Sequence, residues 1–315
     1  MIYRALVVGL GQIGMGYDLH LSKEYTLTHC RAFYQNENFE LVGGVDTDSK
    51  KQEAFEVHYG VRAYDDIKVA LLQTRPDVVA VAVPTPKHID TICEIVREAK
   101  GVELIICEKP LGCDVAEAQE ILDMCTRSGV SLFVNYMRYS VPAIHDELKR
   151  FFTVNADSGV LGRVLYTGDL KHSGSHFLQL IAAFNSNTTS CSIEKISNNI
   201  VVAKFDGVDV YFENVDELDT SQEQSLAAYE VDLIGRYSRL RLLRGGREIE
   251  VSSRSIDPVF GDKETFDISF ITKENMNVFQ AHVVDQVYAF LVSGDGRLCS
   301  GMDALEIHKN FDLLL

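Results

Sequence analysis

The feature that most constrains this chain is a short apolar run that leads directly into a glycine-rich turn. Tyr3–Val8 is predicted to be a β-strand, and residues 9–14 after it (GLGQIG) match the pattern G-x-G-x-x-G. A helix is predicted to begin within the motif, over Gln12–Gly16. A strand, this turn and a helix together predict a dinucleotide site, because the amides at the helix N-terminus face the diphosphate. A glycine-rich turn without a ligand is the alternative.

Each glycine of the motif has its own role in such a site. Gly9 permits the tight turn, Gly11 lets the backbone approach the diphosphate, and Gly14 lets helix and strand pack closely. Gln12 and Ile13 lie between these glycines and are predicted to bind the same coenzyme.

Short β-branched runs alternate with helical patterns as far as residue 135. Several strands are apolar throughout, which is typical of strands buried on both faces of a parallel sheet. The predicted strands are Tyr3–Val8, Glu40–Val45, Val61–Tyr64, Asp77–Val83, Glu103–Cys107 and Ser131–Val134. The later helices are predicted at Cys30–Gln35, Ser49–His58, Ile67–Thr74, Lys87–Lys100 and Val115–Ser128, with Asp48 and Asp114 as N-caps. This alternation predicts a doubly wound α/β Rossmann domain over residues 1–135.

The pattern changes in residues 136–315. Helices are predicted at Ala143–Phe152, His176–Phe184, Val278–Val292 and Met302–Leu313, and Gly159–Gly174 is a glycine-rich stretch. Strands are predicted at Ser192–Ile196, Ile200–Phe205, Val208–Phe212, Tyr229–Ile234, Leu240–Leu243, Glu248–Val251 and Phe266–Ile271. Because no helices separate these strands, they predict a second α/β domain with an antiparallel or mixed sheet.

Charge and cysteine content narrow the class of partner. The formal net charge of −16 over 315 residues disfavours nucleic acid and anionic membranes. The basic segment Arg236–Arg247 is interpreted as a strand pair with one solvated face. Seven scattered cysteines without a C-x-x-C pair disfavour a disulfide framework or a structural zinc site. We therefore expect a cytoplasmic protein without a signal peptide and with no metal.

The end of the second predicted strand bears on the choice of coenzyme. Asp46 follows Val45, and an acidic residue there accepts hydrogen bonds from ribose hydroxyls and repels a 2′-phosphate. This favours NAD over NADP. The segment from Gly14 to Asp46 is longer than usual, and the extra residues are identified as an insertion over Tyr17–Thr28. The insertion is either a lid or a surface loop.

Further motifs follow the later strands. They are Val83-Pro84-Thr85-Pro86 with His88, then Glu108-Lys109-Pro110, then Asn135-Tyr136-Met137-Arg138-Tyr139 with Pro142, and finally Gly174-Ser175-His176. In order and spacing they resemble the glucose–fructose oxidoreductase / inositol dehydrogenase / MocA family over nearly the whole chain.

The resemblance implies a Rossmann domain followed by an α/β domain with a large open, mostly antiparallel sheet that serves in homodimers or homotetramers. It implies hydride transfer at a sugar or cyclitol carbon, with the nicotinamide between the domains. Lys109 and His176 correspond to the family's active-site lysine and histidine, and the Lys109–Pro110 peptide is expected to be cis. Pro84, Thr85, His88 and Glu108 are expected to bind the coenzyme.

Alcohol oxidation requires these residue types. A base must remove the hydroxyl proton as hydride leaves, and histidine suits that task. We predict that His176 is the base or acid and that Lys109 stabilises charge on the oxygen, although the two roles are exchangeable. Tyr136 and Arg138 are predicted to bind substrate. Arg138 suits an anionic group, with a structural ion pair as the alternative.

Two positions depart from the family pattern. His172 stands where the family often has aspartate in D-x-G-x-H, so the site is expected to hold two imidazoles instead of a carboxylate–imidazole pair. His172 then binds substrate, relays a proton or marks a lost activity. Gln179 stands where an acidic residue is frequent. Metal binding by His172 and His176 is disfavoured because no third ligand is evident.

Two classes of function follow. The first is an NAD-dependent oxidoreductase acting on a sugar, cyclitol or nucleotide sugar. A place in surface-polysaccharide biosynthesis is suggested only by analogy with similar family members. The second is a non-catalytic NAD-binding sensor or scaffold, which the two departures favour. A third reading keeps the hydride on a tightly bound coenzyme, so that the net reaction is redox-neutral.

Overall fold

The computed structural model describes residues 2–185, 191–216 and 228–312. The chain forms two compact units. The first combines Met1–Ser140 with Asn277–His308, and the second combines Val141–Met276 with Lys309–Leu315. No helix in the described ranges is long and apolar enough to cross a bilayer.

The strands in chain order are β1 (Tyr3–Val8), β2 (Phe39–Val45), β3 (Ala63–Tyr64), β4 (Val78–Val81), β5 (Leu104–Cys107), β6 (Ser131–Val134), β7 (Val160–Tyr166), β8 (Ser192–Lys195), β9 (Ile200–Phe205), β10 (Val208–Asn214), β11 (Tyr229–Ile234), β12 (Ser238–Leu243), β13 (Glu248–Ile256), β14 (Glu264–Lys273) and β15 (Cys299–Ser300). The α-helices are α1 (His29–Gln35), α2 (Ser49–Tyr59), α3 (Ile67–Thr74), α4 (His88–Glu98), α5 (Val115–Ser128), α6 (Pro142–Val154), α7 (Ser175–Phe184), α8 (Phe279–Ser293) and α9 (Gly301–Asp312).

The first unit contains the predicted Rossmann sheet. Its order is β15-β6-β5-β4-β1-β2-β3, and all pairs are parallel except that of β15 with β6. The apolar strands are buried on both faces, as their sequence predicts, and every residue of β4 is fully buried. Strand order reverses between β1 and β4, which creates the switch point at which such sheets bind ligands. The short antiparallel β15 was not predicted.

Acidic N-caps position the helices of this unit. Asp48 accepts a hydrogen bond from the Lys50 amide at 2.9 Å, and Asp114 accepts one from the Glu117 amide at 2.8 Å. Both caps confirm the sequence prediction, because a side-chain oxygen there satisfies an amide that the first helical turn leaves without a partner.

The helix predicted at Gln12–Gly16 is wrong as an α-helix. Those residues form a turn, a 3₁₀ turn follows at Gly16–Asp18, and α1 begins only at His29. The His29 amide donates to the Ile13 carbonyl at 3.1 Å, and the Cys30 amide donates to the Gly14 carbonyl at 2.9 Å. In an uninterrupted helix, the amides of residues 17 and 18 would donate to the carbonyls of Ile13 and Gly14. The insertion predicted over residues 17–28 therefore interrupts the first Rossmann helix.

The second unit contains the predicted mostly antiparallel sheet. Its order is β14-β13-β12-β11-β7-β10-β9-β8, and the one parallel pairing among these strands joins β7 and β10. Strand β7 was missed because it lies within the glycine-rich stretch. Its Gly162 packs tightly, since a Cβ there would lie 2.7 Å from the Leu233 side chain and 2.9 Å from that of Val210.

The observed units differ from the predicted division at residue 135. The first unit continues to Ser140, and residues 277–308 return to it instead of ending the second unit. The return is fixed by packing, because Val283, Val284 and Val287 of α8 are buried in the core of the first unit. Amphipathic periodicity identifies such a helix but not the sheet that it covers.

Candidate functional site

The candidate site is a cleft of about 820 Å³ in the first unit, formed where β1, β2, β4 and β5 end. This volume lies in the usual range for small-molecule and coenzyme pockets. The predicted residues that line it are Gly9, Gly11, Gln12, Ile13, Asp46, Pro84, Thr85, His88, Glu108 and Lys109. Four separate segments of the sequence therefore meet at one edge of the sheet.

The three motif glycines have different surroundings. Gly9 has φ +98°, and a Cβ there would lie 2.5 Å from the Ala82 carbonyl. A Cβ on Gly14 would lie 1.9 Å from the Gly9 oxygen, so both glycines are required by the fold itself. Gly11 differs, because a Cβ there would meet nothing within 4 Å. The open space above Gly11 belongs to the cleft, where a ligand can approach the backbone.

Asp46 presents a fixed carboxylate to the cleft. Its Oδ2 accepts a hydrogen bond from the Leu10 amide at 2.9 Å and lies 3.2 Å from the Lys51 ammonium. Its Oδ1 accepts from the Asp48 amide at 2.9 Å. These contacts join the end of β2 to the glycine turn and hold the carboxylate at the edge of the cleft. Lys51 also lines the cleft and was not predicted from the sequence.

A buried hydrogen-bond network lies beneath Glu108. The Asn135 amide nitrogen donates to Glu108 Oε1 at 2.7 Å and to Gln280 Oε1 at 3.1 Å. His29 Nε2 lies 2.9 Å from the same Glu108 oxygen, and its Nδ1 lies 2.9 Å from the Gln280 amide nitrogen. The start of α1, the end of β5, the end of β6 and α8 are thus joined through side chains far apart in sequence.

The direction of each hydrogen bond in this network can be deduced. An amide oxygen of Asn135 facing the Glu108 carboxylate would be repelled, so the nitrogen must lie there. Gln280 must then accept from Asn135 with its oxygen and donate to His29 Nδ1 with its nitrogen. His29 therefore carries its hydrogen on Nε2 and donates it to Glu108. This role of His29 was not predicted from the sequence.

Burial raises the pKa of Glu108, but hydrogen bonds from His29 and Asn135 and the nearby charge of Lys109 bring the pKa below its ordinary value. Its carboxylate thus stabilises the fold fully above the unfolded pKa of about 4.3, and this contribution is lost as pH falls through the folded pKa.

We expect Glu108→Gln to lower the unfolding free energy by about 1 to 3 kcal/mol at pH 7. Denaturant unfolding at several pH values should show wild type and variant converging below pH ~4. A constant difference between them down to pH ~2 would contradict this role.

Lys109 and His88 flank the same edge of the sheet. The Lys109–Pro110 peptide is cis, as expected, and Lys109 lines the cleft. His88 is buried, with Nδ1 3.1 Å from the Leu111 carbonyl oxygen and Nε2 3.0 Å from that of Val83. His88 therefore ties the segment after β4 to the segment after β5, and shapes the cleft through the backbone.

Tyr136 and Arg138 are buried in the first unit and are not among the residues that line the cleft. Their substrate-binding role stays a prediction.

The second unit holds the two predicted histidines. Asp169 caps a π-helical turn, Leu170–Gly174, and accepts hydrogen bonds from the His172 amide at 2.7 Å and from its Nδ1 at 2.7 Å. His172 is exposed, whereas His176 is buried in the first turn of α7. Asp169 therefore supplies a carboxylate to His172, a contact that was not predicted from the sequence. The signal was an acidic residue three positions before a histidine in a glycine-rich loop. The expectation that His172 and His176 share one site stays a prediction.

The N-terminal segment of the chain is similar to known proteins. Residues 3–136 match the model of the oxidoreductase family with an NAD-binding Rossmann fold, Gfo/Idh/MocA. Rhizopine catabolism protein MocA of Rhizobium meliloti is 27% identical over 142 residues, 45% of this chain and 40% of that protein. D-apiose dehydrogenase of Paraburkholderia graminis is 31% identical over 121 residues, 38% of this chain and 32% of that protein. Residues 3–136 are therefore similar to the NAD-binding Rossmann domain of the Gfo/Idh/MocA family.

The matched segments span less than half the length of either relative. Solved structures extend the likeness of fold over both units. UDP-N-acetylglucosamine 3-dehydrogenase of Acidithiobacillus ferrooxidans has a TM-score of 0.73 and 14% identity, covering 99% of this chain and 97% of that one. A super-repressor mutant of Gal80p from Saccharomyces cerevisiae has a TM-score of 0.76 and 13% identity, covering 100% and 95%. At these identities the likeness shows the fold alone.

Proposed function

We propose that this protein is an NAD-dependent oxidoreductase that moves a hydride to or from an alcohol carbon of a sugar, cyclitol or nucleotide sugar. The observation that carries the proposal is that Gly11, Asp46 and Lys109 line the same cleft, with open space beside the backbone of Gly11. The dehydrogenases among the similar proteins support the substrate class.

The cleft residues fit a nicotinamide dinucleotide. Gly11 leaves room for a diphosphate against the backbone, and Asp46 offers a carboxylate to ribose hydroxyls. The volume of the cleft, about 820 Å³, is sufficient for a nicotinamide dinucleotide. When bound, the coenzyme supplies the acceptor or donor of the hydride.

The chain's own residues then handle the proton and the charge. In the proposed reaction, His176 takes or gives the hydroxyl proton, and the Lys109 ammonium stabilises negative charge on the same oxygen. The two roles are exchangeable. We assign His172 to substrate binding or proton relay, with its ring oriented by Asp169. Tyr136 and Arg138 complete the proposed substrate-binding set.

Asp46 is proposed to select NAD over NADP. Asp46→Ala removes the ribose acceptor and the carboxylate beside Lys51, whose ammonium can then attract a 2′-phosphate. We expect the dissociation constant for NAD to rise about tenfold or more and that for NADP to fall. Calorimetric titration of both coenzymes tests this, with exposed Asp90→Ala, outside the cleft, as the control. An unchanged ratio of the two constants would argue against this role.

Catalysis is tested by supplying purified protein with NAD and a panel of sugars, cyclitols and nucleotide sugars, and following reduced coenzyme. Turnover on a member of the panel is the expected result. Nucleotide released on denaturing the purified protein would reveal a tightly bound coenzyme, which a redox-neutral net reaction requires.

A non-catalytic NAD-binding sensor or scaffold is the second candidate. It is favoured by His172 in place of the family aspartate, and a super-repressor shares the fold. This function requires coenzyme binding without turnover on any member of the panel.

Self-association through the open sheet of the second unit is also proposed. Leu161 of β7 and Ile234 of β11 are paired neighbours on adjacent strands, and both are exposed. Contiguous exposed apolar side chains on a sheet favour association. Sedimentation analysis would report whether a homodimer or homotetramer forms.

A further inference from the structure

We propose that Tyr17, the first inserted residue, binds the coenzyme through its aromatic ring. This inference rests on the proposed function and deepens it. Tyr17 lines the cleft beside Gly11 and Gln12, and 56% of its surface is exposed. A ligand that fills the cleft would cover this ring, and burying an aromatic face favours binding.

The backbone at Tyr17 is fixed by the glycine turn. Its amide donates to the Gln12 carbonyl at 2.9 Å, so the residue stands one turn beyond the proposed diphosphate site. Gly16 before it leaves room for the Gln12 side chain, because a Cβ at Gly16 would lie 2.7 Å from Gln12 Oε1. The glycine turn and the start of the insertion are therefore in direct contact.

A buried carboxylate closes the base of the insertion. Asp18 is fully buried, and its Oδ2 accepts hydrogen bonds from the amides of Leu27 and Thr28 at 2.6 and 3.0 Å. Its Oδ1 accepts from the Thr28 hydroxyl at 2.7 Å. These bonds hold the two ends of residues 17–28 together at the residue next to Tyr17.

Arg31 fastens the middle of the insertion. Its Nη1 donates to the carbonyls of Leu21, Ser22 and Tyr25 at 3.2, 2.8 and 3.1 Å, and its Nε lies 3.6 Å from Asp18. A buried guanidinium that satisfies three carbonyls holds their backbone in one conformation.

The backbone of Thr26 joins the insertion to the segment that begins α8. Its amide donates to the Asn277 carbonyl at 2.8 Å, and its carbonyl accepts from the Gln280 amide at 3.2 Å. The insertion was interpreted as either a lid or a surface loop, and these contacts argue against a lid. We infer that it is a surface loop held in one conformation, so that Tyr17 forms a fixed wall of the cleft. A wall that is ordered before binding avoids the entropy cost of closing over the ligand.

To test this, NAD is titrated into wild type, Tyr17→Ala and Tyr17→Phe, and the dissociation constant is measured by calorimetry. We expect Tyr17→Ala to raise the dissociation constant about tenfold. Tyr17→Phe keeps the ring and should stay within about threefold of wild type. Tyr34→Ala removes a tyrosine of similar exposure on α1, outside the cleft, and should leave the constant unchanged.

Three results would overturn the inference: an unchanged constant in Tyr17→Ala, equal weakening by alanine and phenylalanine, or equal weakening by Tyr34→Ala. Thermal melting of each variant shows that it is folded. If wild type binds neither NAD nor NADP, both the inference about Tyr17 and the proposed function fail. If wild type binds and Tyr17→Ala binds equally well, the inference alone fails.

Discussion

Gly11→Ala is expected to weaken NAD binding at least about 100-fold while leaving the unfolding free energy unchanged. The added methyl group meets no protein atom within 4 Å, so the fold can accept it. It projects into the space through which a diphosphate would approach the backbone, and the ligand cannot come within hydrogen-bonding distance of the amides. Calorimetry with NAD and denaturant unfolding measure the two quantities separately.

Two other glycines calibrate this result. A Cβ at Gly261 in the second unit also meets nothing within 4 Å, and Gly261→Ala should alter neither quantity. Gly14→Ala should reduce stability by several kcal/mol, because its methyl group would lie 1.9 Å from the Gly9 oxygen. Wild-type affinity in Gly11→Ala would show that the diphosphate is bound elsewhere.

Lys109→Ala is expected to lower kcat by about 10² to 10⁴ on whichever substrate supports turnover. Its ammonium is proposed to stabilise charge on the reacting oxygen, so its loss affects the chemical step. The dissociation constant for NAD should change less than about threefold, because the diphosphate and ribose contacts remain. Steady-state kinetics and calorimetry on the same preparation test both parts.

Lys50→Ala is the matched control, because Lys50 is exposed and lies outside the cleft. It should leave kcat and NAD affinity unchanged. A Lys109→Ala protein with wild-type kcat would remove Lys109 from the mechanism. Loss of NAD affinity in parallel with kcat would make it a coenzyme-binding residue instead.

The predicted residues that line the cleft were identified from local sequence pattern. The glycine turn, Asp46 and the segment Glu108-Lys109-Pro110 each follow a strand that its apolar run identifies. The carboxyl ends of parallel strands meet at one edge of a sheet, so strand order alone brings these residues together. Ten of the predicted coenzyme and catalytic residues consequently line the cleft.

The parts that were missed depend on long-range contact. His29 and Glu108 are separated by 79 positions and His29 and Gln280 by 251, and no periodicity connects them. The return of α8 to the first unit has the same origin. Strand β7 was missed because glycine lowers strand propensity, although Gly162 is present there for close packing.

The structure of a complex with NAD tests the central claim most directly. The predicted result is a diphosphate against the backbone at Gly11, with the adenosine ribose hydroxyls on Asp46. Coenzyme bound outside this cleft, or no binding of NAD or NADP at millimolar concentration, would contradict it.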